Sequence, residues 1–470
     1  MVRGSCGALV GMACALREHP AVRRSASASG WEHVPYGVWV VLVVLGVVAV
    51  LALSSRVLFA RVPRVWWRVW GYPVAAVRVR RTWHRLTDLQ DLSVARRSPL
   101  RVLAGVVVKG RAVRTVAPRL GVPRMLSGGL VVRVRLHPGQ TPEMYGPVGG
   151  AMAHAWRVHA VRVTSRERGW VTLTATAWDP LSIPWVPRAL GPATLLRAVV
   201  GQWEDGAAWV VDLRRNPHWL IVGATRSGKS TLMTALVSQW APQRLALVGI
   251  DLKGGMELSL VEARLSALAT TRDQAADLLS RVVEIALDRM ALCRSGGARS
   301  IWELPEKGRP VPVIVLVDEV AELYLMGSSA DKAVVAQVST ALLRLGQLGA
   351  AVGVYLVIAG QRVGSDLGTG VTALRAQLGG RVCHRVLDKG TAEMALGDLS
   401  PDAVAAAQMI TEAEPGVAIS VANGGVWMRA RSVPVTADQA RQTAETHAVL
   451  TPALSSLGWA GHRDGVSGDE

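Results

Sequence analysis

The residues best placed to do chemistry are Gly223-Ala224-Thr225-Arg226-Ser227-Gly228-Lys229-Ser230, with Thr231 following. The spacing is G-x-x-x-x-G-K-S. Glycines at the first and sixth positions let a loop fold its backbone N–H groups around phosphates, and a helix starting behind the loop adds the positive end of its dipole. Lys229 would bring a compact charge to the β- and γ-phosphates, and the Ser230 hydroxyl would hold Mg²⁺. The context required is strand, loop, helix. His218-Trp219-Leu220-Ile221-Val222 supplies the strand and residues 231–240 the helix. ATP is therefore the expected ligand, held by Gly223, Ala224, Thr225, Arg226, Ser227, Gly228, Lys229, Ser230 and Thr231.

Two further patterns complete a hydrolytic site. An apolar run, Val313-Ile314-Val315-Leu316-Val317, ends in Asp318-Glu319, 89 residues after Lys229. Two acids at the end of a buried strand suit Mg²⁺ coordination by Asp318 and activation of the attacking water by Glu319. A third run, Val354-Tyr355-Leu356-Val357-Ile358-Ala359, ends in Gly360-Gln361-Arg362. Gln361 is expected to sense the γ-phosphate. These three strands must lie side by side for the residues to meet, which predicts an α/β fold with a mainly parallel sheet.

The chain has 470 residues, 50% hydrophobic and 19% charged. That composition excludes a disordered chain, and four scattered cysteines with no CxxC pair argue against a disulfide scaffold or a zinc site. The net charge is +18, yet it is unevenly spread: residues 1–200 carry +21 and residues 201–470 carry −3. The nucleotide-binding part is thus not a globally basic protein.

Residues 34–55 contain no charged side chain over 22 positions, enough for one transmembrane helix. Many arginines follow this run and few precede it, which predicts a cytoplasmic C-terminal bulk in a single-pass cell-membrane protein. Residues 56–135 hold 18 Lys/Arg against Asp88 and Asp91. Attraction to an anionic leaflet and a collar for DNA both suit such a run. Beyond it, alternation in Val132-Arg133-Val134-Arg135-Leu136 predicts a strand. Thr141-Pro142-Glu143 predicts the start of a helix reaching about Trp156, and 159–164 and 170–178 two further strands. This is a small β-α-β-β adapter. Trp203 and Trp209 flank a turn at Glu204-Asp205-Gly206, and Thr436-x-x-Gln439 opens a last helix.

Pro217-His218, Ile250-Asp251-Leu252-Lys253 with Glu257-Leu258, Asp318-Glu319-Val320-Ala321-Glu322-Leu323 and Ala359-Gly360-Gln361-Arg362 occur in this order. Together they resemble the FtsK/SpoIIIE family of ring-forming, membrane-anchored DNA translocases. From about Gly129 to Ser432 the chain is more closely similar to the Tra proteins of conjugative plasmids and integrating elements in mycelial actinobacteria. Gly364-Ser365-Asp366-Leu367-Gly368, Gly380-Arg381-Val382-Cys383-His384-Arg385 and Ala395-Leu396-Gly397-Asp398 resemble that subgroup. The resemblance implies a RecA-like P-loop motor, a homo-hexameric ring, Gln361 as sensor, and double-stranded DNA moved by ATP hydrolysis, with other transfer proteins as partners. It also departs from the family twice. Fewer than forty residues follow Ser432, too few for a sequence-reading winged helix. Where the family commonly has an arginine finger this chain has Ala350, which leaves Arg362 or Arg381 as favoured substitutes, Arg385 as another, or loss of the finger, with Arg344 on another side of the same helix. Asp251 and Lys253 are open between a structural ion pair and a contact with the next subunit.

The expected organisation is an extracytoplasmic segment (1–33), a transmembrane helix (34–55), a basic juxtamembrane linker (56–127), the adapter (128–200), the motor (201–435), and a helix with a polar tail (436–470). The expected function is a membrane-anchored translocase of double-stranded DNA in conjugative transfer. The alternatives are a chromosome-segregation translocase, a protein-secretion ATPase of the type VII kind, and a non-motor nucleotide switch.

Overall fold

The computed structural model describes residues 55, 62–97, 113–126, 128–165, 167–182, 194–327, 331–364, 367–397, 399–421 and 426–457. The membrane span expected at 34–55 lies outside these residues apart from Ser55. Among the described residues no helix is long and apolar enough to cross a membrane. The chain divides into a body ending at Gly71 and one running from Tyr72 onward. In the first, a short helix Pro63–Trp66 continues into a π-helical turn Trp67–Gly71. Trp66 Nε1 donates to Ser55 Oγ there.

The second body opens with helix α1 (Tyr72–Leu89), whose Ala75, Val79, Trp83 and Leu86 are buried at helical spacing. A two-stranded antiparallel ribbon follows, β1 (Val94–Arg97) with β2 (Val113–Val116). A five-stranded antiparallel sheet is built from β3 (Arg119–Leu120), β4 (Arg124–Leu126), β5 (Gly129–Arg135), β6 (Ala160–Thr164) and β7 (Trp170–Thr176). Its order is β3-β5-β7-β6, with β4 also on β5. Helix α2 (Gly149–Trp156) lies between β5 and β6 in sequence. Leu130, Val132, Val134, Val171 and Leu173 are buried, whereas the alternate residues Arg133 and Arg135 are exposed. Trp83 of α1 donates its indole N–H to the Pro118 carbonyl and lies 6.5 Å from the Trp156 ring. Arg78 donates to the Trp156 carbonyl at the end of α2, where a cation suits the helix dipole.

Two expectations are corrected here. The stretch 56–127 is not simply a linker: from Tyr72 it supplies a helix and four strands, and in the helix Arg80, Arg81 and Arg85 are exposed while Ala75, Val79, Trp83 and Leu86 face in. The helix expected from Thr141 to Trp156 is split. A 3₁₀ turn Pro142–Met144, with no side-chain cap from Thr141, precedes α2. Pro147 has no N–H to continue the ladder.

The rest of the second body is a ten-stranded sheet in the order β12-β11-β13-β14-β10-β15-β16-β17-β8-β9. In chain order its elements begin with β8 (Arg197–Trp203), β9 (Ala208–Asp212), β10 (Trp219–Val222), α3 (Lys229–Trp240), β11 (Ala246–Ile250), β12 (Ala267–Ala269) and α4 (Arg272–Ser295). They continue with β13 (Val313–Val317), α5 (Val320–Tyr324), α6 (Asp331–Val352), β14 (Val354–Gly360), α7 (Val371–Gln377) and β15 (Gly380–His384). Last come α8 (Lys389–Leu396), α9 (Pro401–Gln408), β16 (Val417–Val421), β17 (Trp427–Ser432) and α10 (Ala437–Thr446). From β12 to β15 all neighbours are parallel; from β15 to β9 all are antiparallel. The parallel strands are buried on both faces, as helices on either side demand. Val338, Leu342 and Leu345 of α6 pack with Leu279, Val282 and Ile285 of α4 under Val315 and Leu356. Leu232, Leu236 and Trp240 of α3 pack on the other face against Leu316, Val357 and Ala440 of α10. The hairpin β8–β9 joins this sheet through β17, so the motor begins at Arg197 rather than at 201.

The C-terminal segment is also part of the motor. Thr436 and Gln439 form the expected capping box. Buried Arg289 of α4 donates to the carbonyls of Val311, Val352 and Leu457, fastening the segment that reaches Leu457 to the core. The adapter is joined to the motor by ion pairs. Arg162 of β6 meets Glu204 at 2.5 Å, also donates to the Trp427 carbonyl, and stacks on the Trp427 ring. Arg429 bridges Asp179 and Glu414.

Two buried histidines flank the phosphate-loop strand. His218 Nδ1 accepts from the Leu356 N–H, and His384 Nδ1 lies 3.1 Å from the Val417 carbonyl. Burial pushes both down to about 4 from 6.5. A base whose folded value is depressed stabilises the fold fully above 6.5 and loses that contribution as pH falls toward 4. Urea unfolding should therefore show stability falling through this window, and in His384→Asn the slope should drop by up to about 1.4 kcal/mol per pH unit. An unchanged slope would contradict a buried neutral His384.

Candidate active site

Strand β10 is the centre of the site. It lies between β14 and β15, with Val222 paired to Gly360 and to Cys383. The carboxyl ends of β10, β13 and β14 therefore form one crevice, the place where open α/β sheets bind ligands. The loop leaving β10 has no room for side chains at two positions. A Cβ on Gly223 would come within 2.4 Å of Ser227 Oγ and 2.8 Å of His384 Cβ. A Cβ on Gly228, at φ +111°, would strike Gly416 Cα at 2.5 Å. Helix α3 then starts at Lys229 without a side-chain cap, so the N–H groups of its first turn stay available to an anion.

A cavity of about 340 Å³ stands over this turn. Its wall includes Ala224, Thr225, Arg226, Gly228, Lys229, Ser230 and Thr231 of the loop and helix, Asp318, Gln361, Lys253, Glu257 and Pro415. Gly223 and Ser227 stand behind it. Ser227 Oγ is buried with no hydrogen-bond partner among the described residues. The glycine cradle and the uncapped helix start fit a triphosphate. Ser230 and Asp318 both face the cavity and are the residues that would hold Mg²⁺.

The charges converge as well. Lys229 Nζ lies 3.1 Å from Glu319 Oε2 and donates to the Asp318 carbonyl at 3.3 Å. Lys253 Nζ lies 3.4 Å from the same Glu319 oxygen, and the Gln361 backbone N–H donates to Glu319 Oε1. Glu319 is thus gripped by three donors and is 6% exposed. Burial raises the Asp318 carboxyl above its ordinary value; Lys229 pulls it back, while Asp251 and Glu257 add to the rise.

Several sequence expectations change. Asp251 and Lys253 do not form an ion pair. The fully buried Asp251 carboxylate accepts the backbone N–H groups of Lys253, Glu257 and Leu258, holding the loop after β11. The Lys253 ammonium goes to Glu319 instead. The arginines separate too. Arg381 is 6% exposed within β15 and donates to the Arg375 carbonyl, so it is not presented to a neighbouring subunit. Arg362 is exposed, one residue beyond Gln361 of the cavity wall. The Asp388 carboxyl is lowered chiefly by the Thr391 backbone N–H, and Arg362 adds a smaller pull. Ala350 ends up in the last turn of α6, partly exposed. Lys253, Glu257 and Pro415 were not singled out as cavity residues from the sequence. Lys253 and Glu257 stood in a motif of the family resemblance, and Pro415 had no signal.

Arg226 holds φ +61° in the loop, a left-handed conformation that disfavours a side chain. Arg226→Gly should raise unfolding stability by about 1 kcal/mol, read by denaturant titration. Lys229→Ala should abolish binding of a fluorescent ATP analogue, because the phosphates lose their point charge. Glu319→Gln should keep that binding and lose hydrolysis by about a hundredfold or more. Hydrolysis at the wild-type rate in Glu319→Gln would refute its assignment as the base.

Comparison with known proteins fits this geometry. Residues 55–177 match the actinomycete conjugal transfer protein N-terminal domain, and residues 190–310 and 301–365 match the FtsK/SpoIIIE family. The transfer protein TraSA of Streptomyces ambofaciens is 42% identical over 363 residues, covering 74% of this chain and 87% of TraSA. The DNA translocase FtsK of Lactococcus lactis subsp. cremoris is 29% identical over 241 residues; the match covers 45% of this chain but only 31% of that protein. Among solved structures, the pCW3 conjugation coupling protein TcpA, in its monomer form with ATPγS, shares the fold. Its TM-score is 0.51 at 21% identity, over 70% of this chain and 94% of that one. The extent of the TraSA match, together with the two family matches, places the chain in the FtsK/SpoIIIE family of ATPases, among the actinomycete conjugal transfer proteins.

Proposed function

We propose that the chain is a membrane-anchored translocase that uses ATP hydrolysis to move double-stranded DNA in conjugative transfer. The observation that carries this reading is the meeting of Lys229, Asp318, Glu319 and Gln361 at the ends of adjacent strands, in a chain that covers most of a transfer protein. The phosphates of ATP compete with Glu319 for the Lys229 ammonium. Once Lys229 turns to phosphate, Glu319 is held by Lys253 and the Gln361 N–H alone. Its carboxylate is then free to orient a water and take its proton as the γ-phosphoryl leaves. Gln361, at the lip, is positioned to report the γ-phosphate to the next element. Mg²⁺, held by Ser230 and Asp318, would neutralise charge on the phosphates.

The remaining parts of the reading are consistent with the charge map. The apolar residues 34–55 anchor the chain in the cell membrane, and the arginines behind them keep the ATPase cytoplasmic. The working form is a homo-hexameric ring, in which an arginine of one subunit reaches the γ-phosphate of the next. Arg362, exposed beside the crevice, takes that role in place of the family's residue at Ala350. Other transfer proteins assemble with the ring.

The decisive measurement is ATPase activity of the full chain with duplex DNA or with peptides. Stimulation by mixed-sequence duplex and not by peptide is expected; the reverse would move the protein to the secretion class. In mating assays deletion should abolish transfer and leave cell division intact, whereas a division defect would favour chromosome segregation. Arg362→Ala should lower the DNA-stimulated rate by about a hundredfold or more, with partial rescue on mixing with Lys229→Ala subunits. No loss of rate would remove Arg362 from catalysis.

A further inference from the structure

The adapter has a cavity of its own, about 940 Å³, walled by the ends of β3, β5 and β7 and the turn after β5. Arg119 and Arg135 are direct cross-strand partners in the β3–β5 ladder, and both are exposed. Opposed residues in such a ladder stand about 5 Å apart at Cβ, and like charges there destabilise a sheet. Neither guanidinium has a hydrogen bond or ion pair among the described residues. Arg168, in the turn between β6 and β7, adds a third exposed guanidinium to the wall. The one carboxylate in the wall, Glu167, is already taken by Arg133 at 2.5 Å. The guanidinium of Arg133 also lies 4.6 Å from the ring centre of Trp170, which is the ladder neighbour of Arg135. His137 Nε2 is buried in the same wall without a partner.

A sheet that sets two arginines side by side, with no anion of its own beside them, is completed by an anion from outside. Paired guanidinium forks are the donors that best match phosphate oxygens. We propose that this groove holds the sugar-phosphate backbone of duplex DNA beside the motor. The proposal rests on the reading that duplex DNA is the cargo.

The choice of DNA over a lipid surface follows from the faces of the sheet. Arg119 and Arg135 stand on the face that also carries Arg162, which is bonded to Glu204 and Trp427 of the motor. The opposite face packs on α1, whose outer side exposes Val74 and Val77 among arginines and is the better match to a bilayer. Residues 201–470 carry −3, so cationic contacts beyond a few motor arginines must come from this part of the chain.

The test is duplex binding by the full chain in detergent across a salt series, read by fluorescence anisotropy. Arg119→Ala/Arg135→Ala should bind about tenfold more weakly at physiological salt, and its log–log salt slope should be shallower by about 2. Arg168→Ala should reduce the slope by about 1. ATPase without DNA should be unchanged in both. The thermal midpoint of the double variant should be unchanged or higher, because a like-charge pair is gone. Should the double variant fold poorly, Arg168→Ala alone decides the matter. If wild-type protein binds duplex and these variants match it in affinity and slope, the groove is not the site and the DNA reading stands. If wild-type protein does not bind duplex at low salt, the DNA reading itself fails. If the variants lose only binding to phosphatidylglycerol vesicles, the groove serves lipid and the proposal is overturned.

Discussion

The structure depends on where one strand is allowed to run. β10 delivers the phosphate loop, and it can do so only from inside the sheet, between β14 and β15, so that one neighbour brings Gly360-Gln361 and the other brings His384 against Gly223. Burying that strand on both faces requires helices on both sides, which α3, α4 and α6 provide. The close approach of the loop to Gly416 then fixes where the antiparallel half of the sheet must begin. Site and architecture are therefore one constraint, and a shift of any of these strands would open the phosphate cradle.

Within that frame Glu319 is the most restrained carboxylate of the site. Two ammonium groups and one backbone N–H hold it, Lys229 from the start of α3 and Lys253 from the loop after β11. A base held by several donors is a poor base until one of them is drawn elsewhere. In the function proposed above, nucleotide arrival would release Glu319 without any large motion, through competition for Lys229 alone. Asp251 contributes indirectly: it ties the loop that carries Lys253 and sits in the field that raises Asp318.

The phosphate loop and the Asp318-Glu319 pair were legible because their chemistry lies in contiguous residues at a strand end. So were the capping box at Thr436 and the hairpin around Glu204. What was not legible depended on distant partners. Lys253 meets Glu319 from 66 residues away, and nothing near it in the chain predicts that contact. Arg381 reads as an available cation, yet β15 is an interior strand and buries it. The arginines of α1 disguised the stripe Ala75, Val79, Trp83 and Leu86, so a folded helix read as a linker. Pro147 interrupts a helix whose start signals at Thr141 and Pro142 were sound in themselves.

The pairing of β8 with β17 joins the motor's first strand to its last: Trp203 lies opposite Ala430. The outer edge of β8 thus leaves the ribosome unpaired, and its partner strand arrives about 230 residues later. At ordinary rates of synthesis that interval is about 12–46 s. During that time an unpaired strand edge beside Trp203 and Trp209 is open to other chains. A protein made in this order is exposed to association with other chains until the final hairpin closes the sheet.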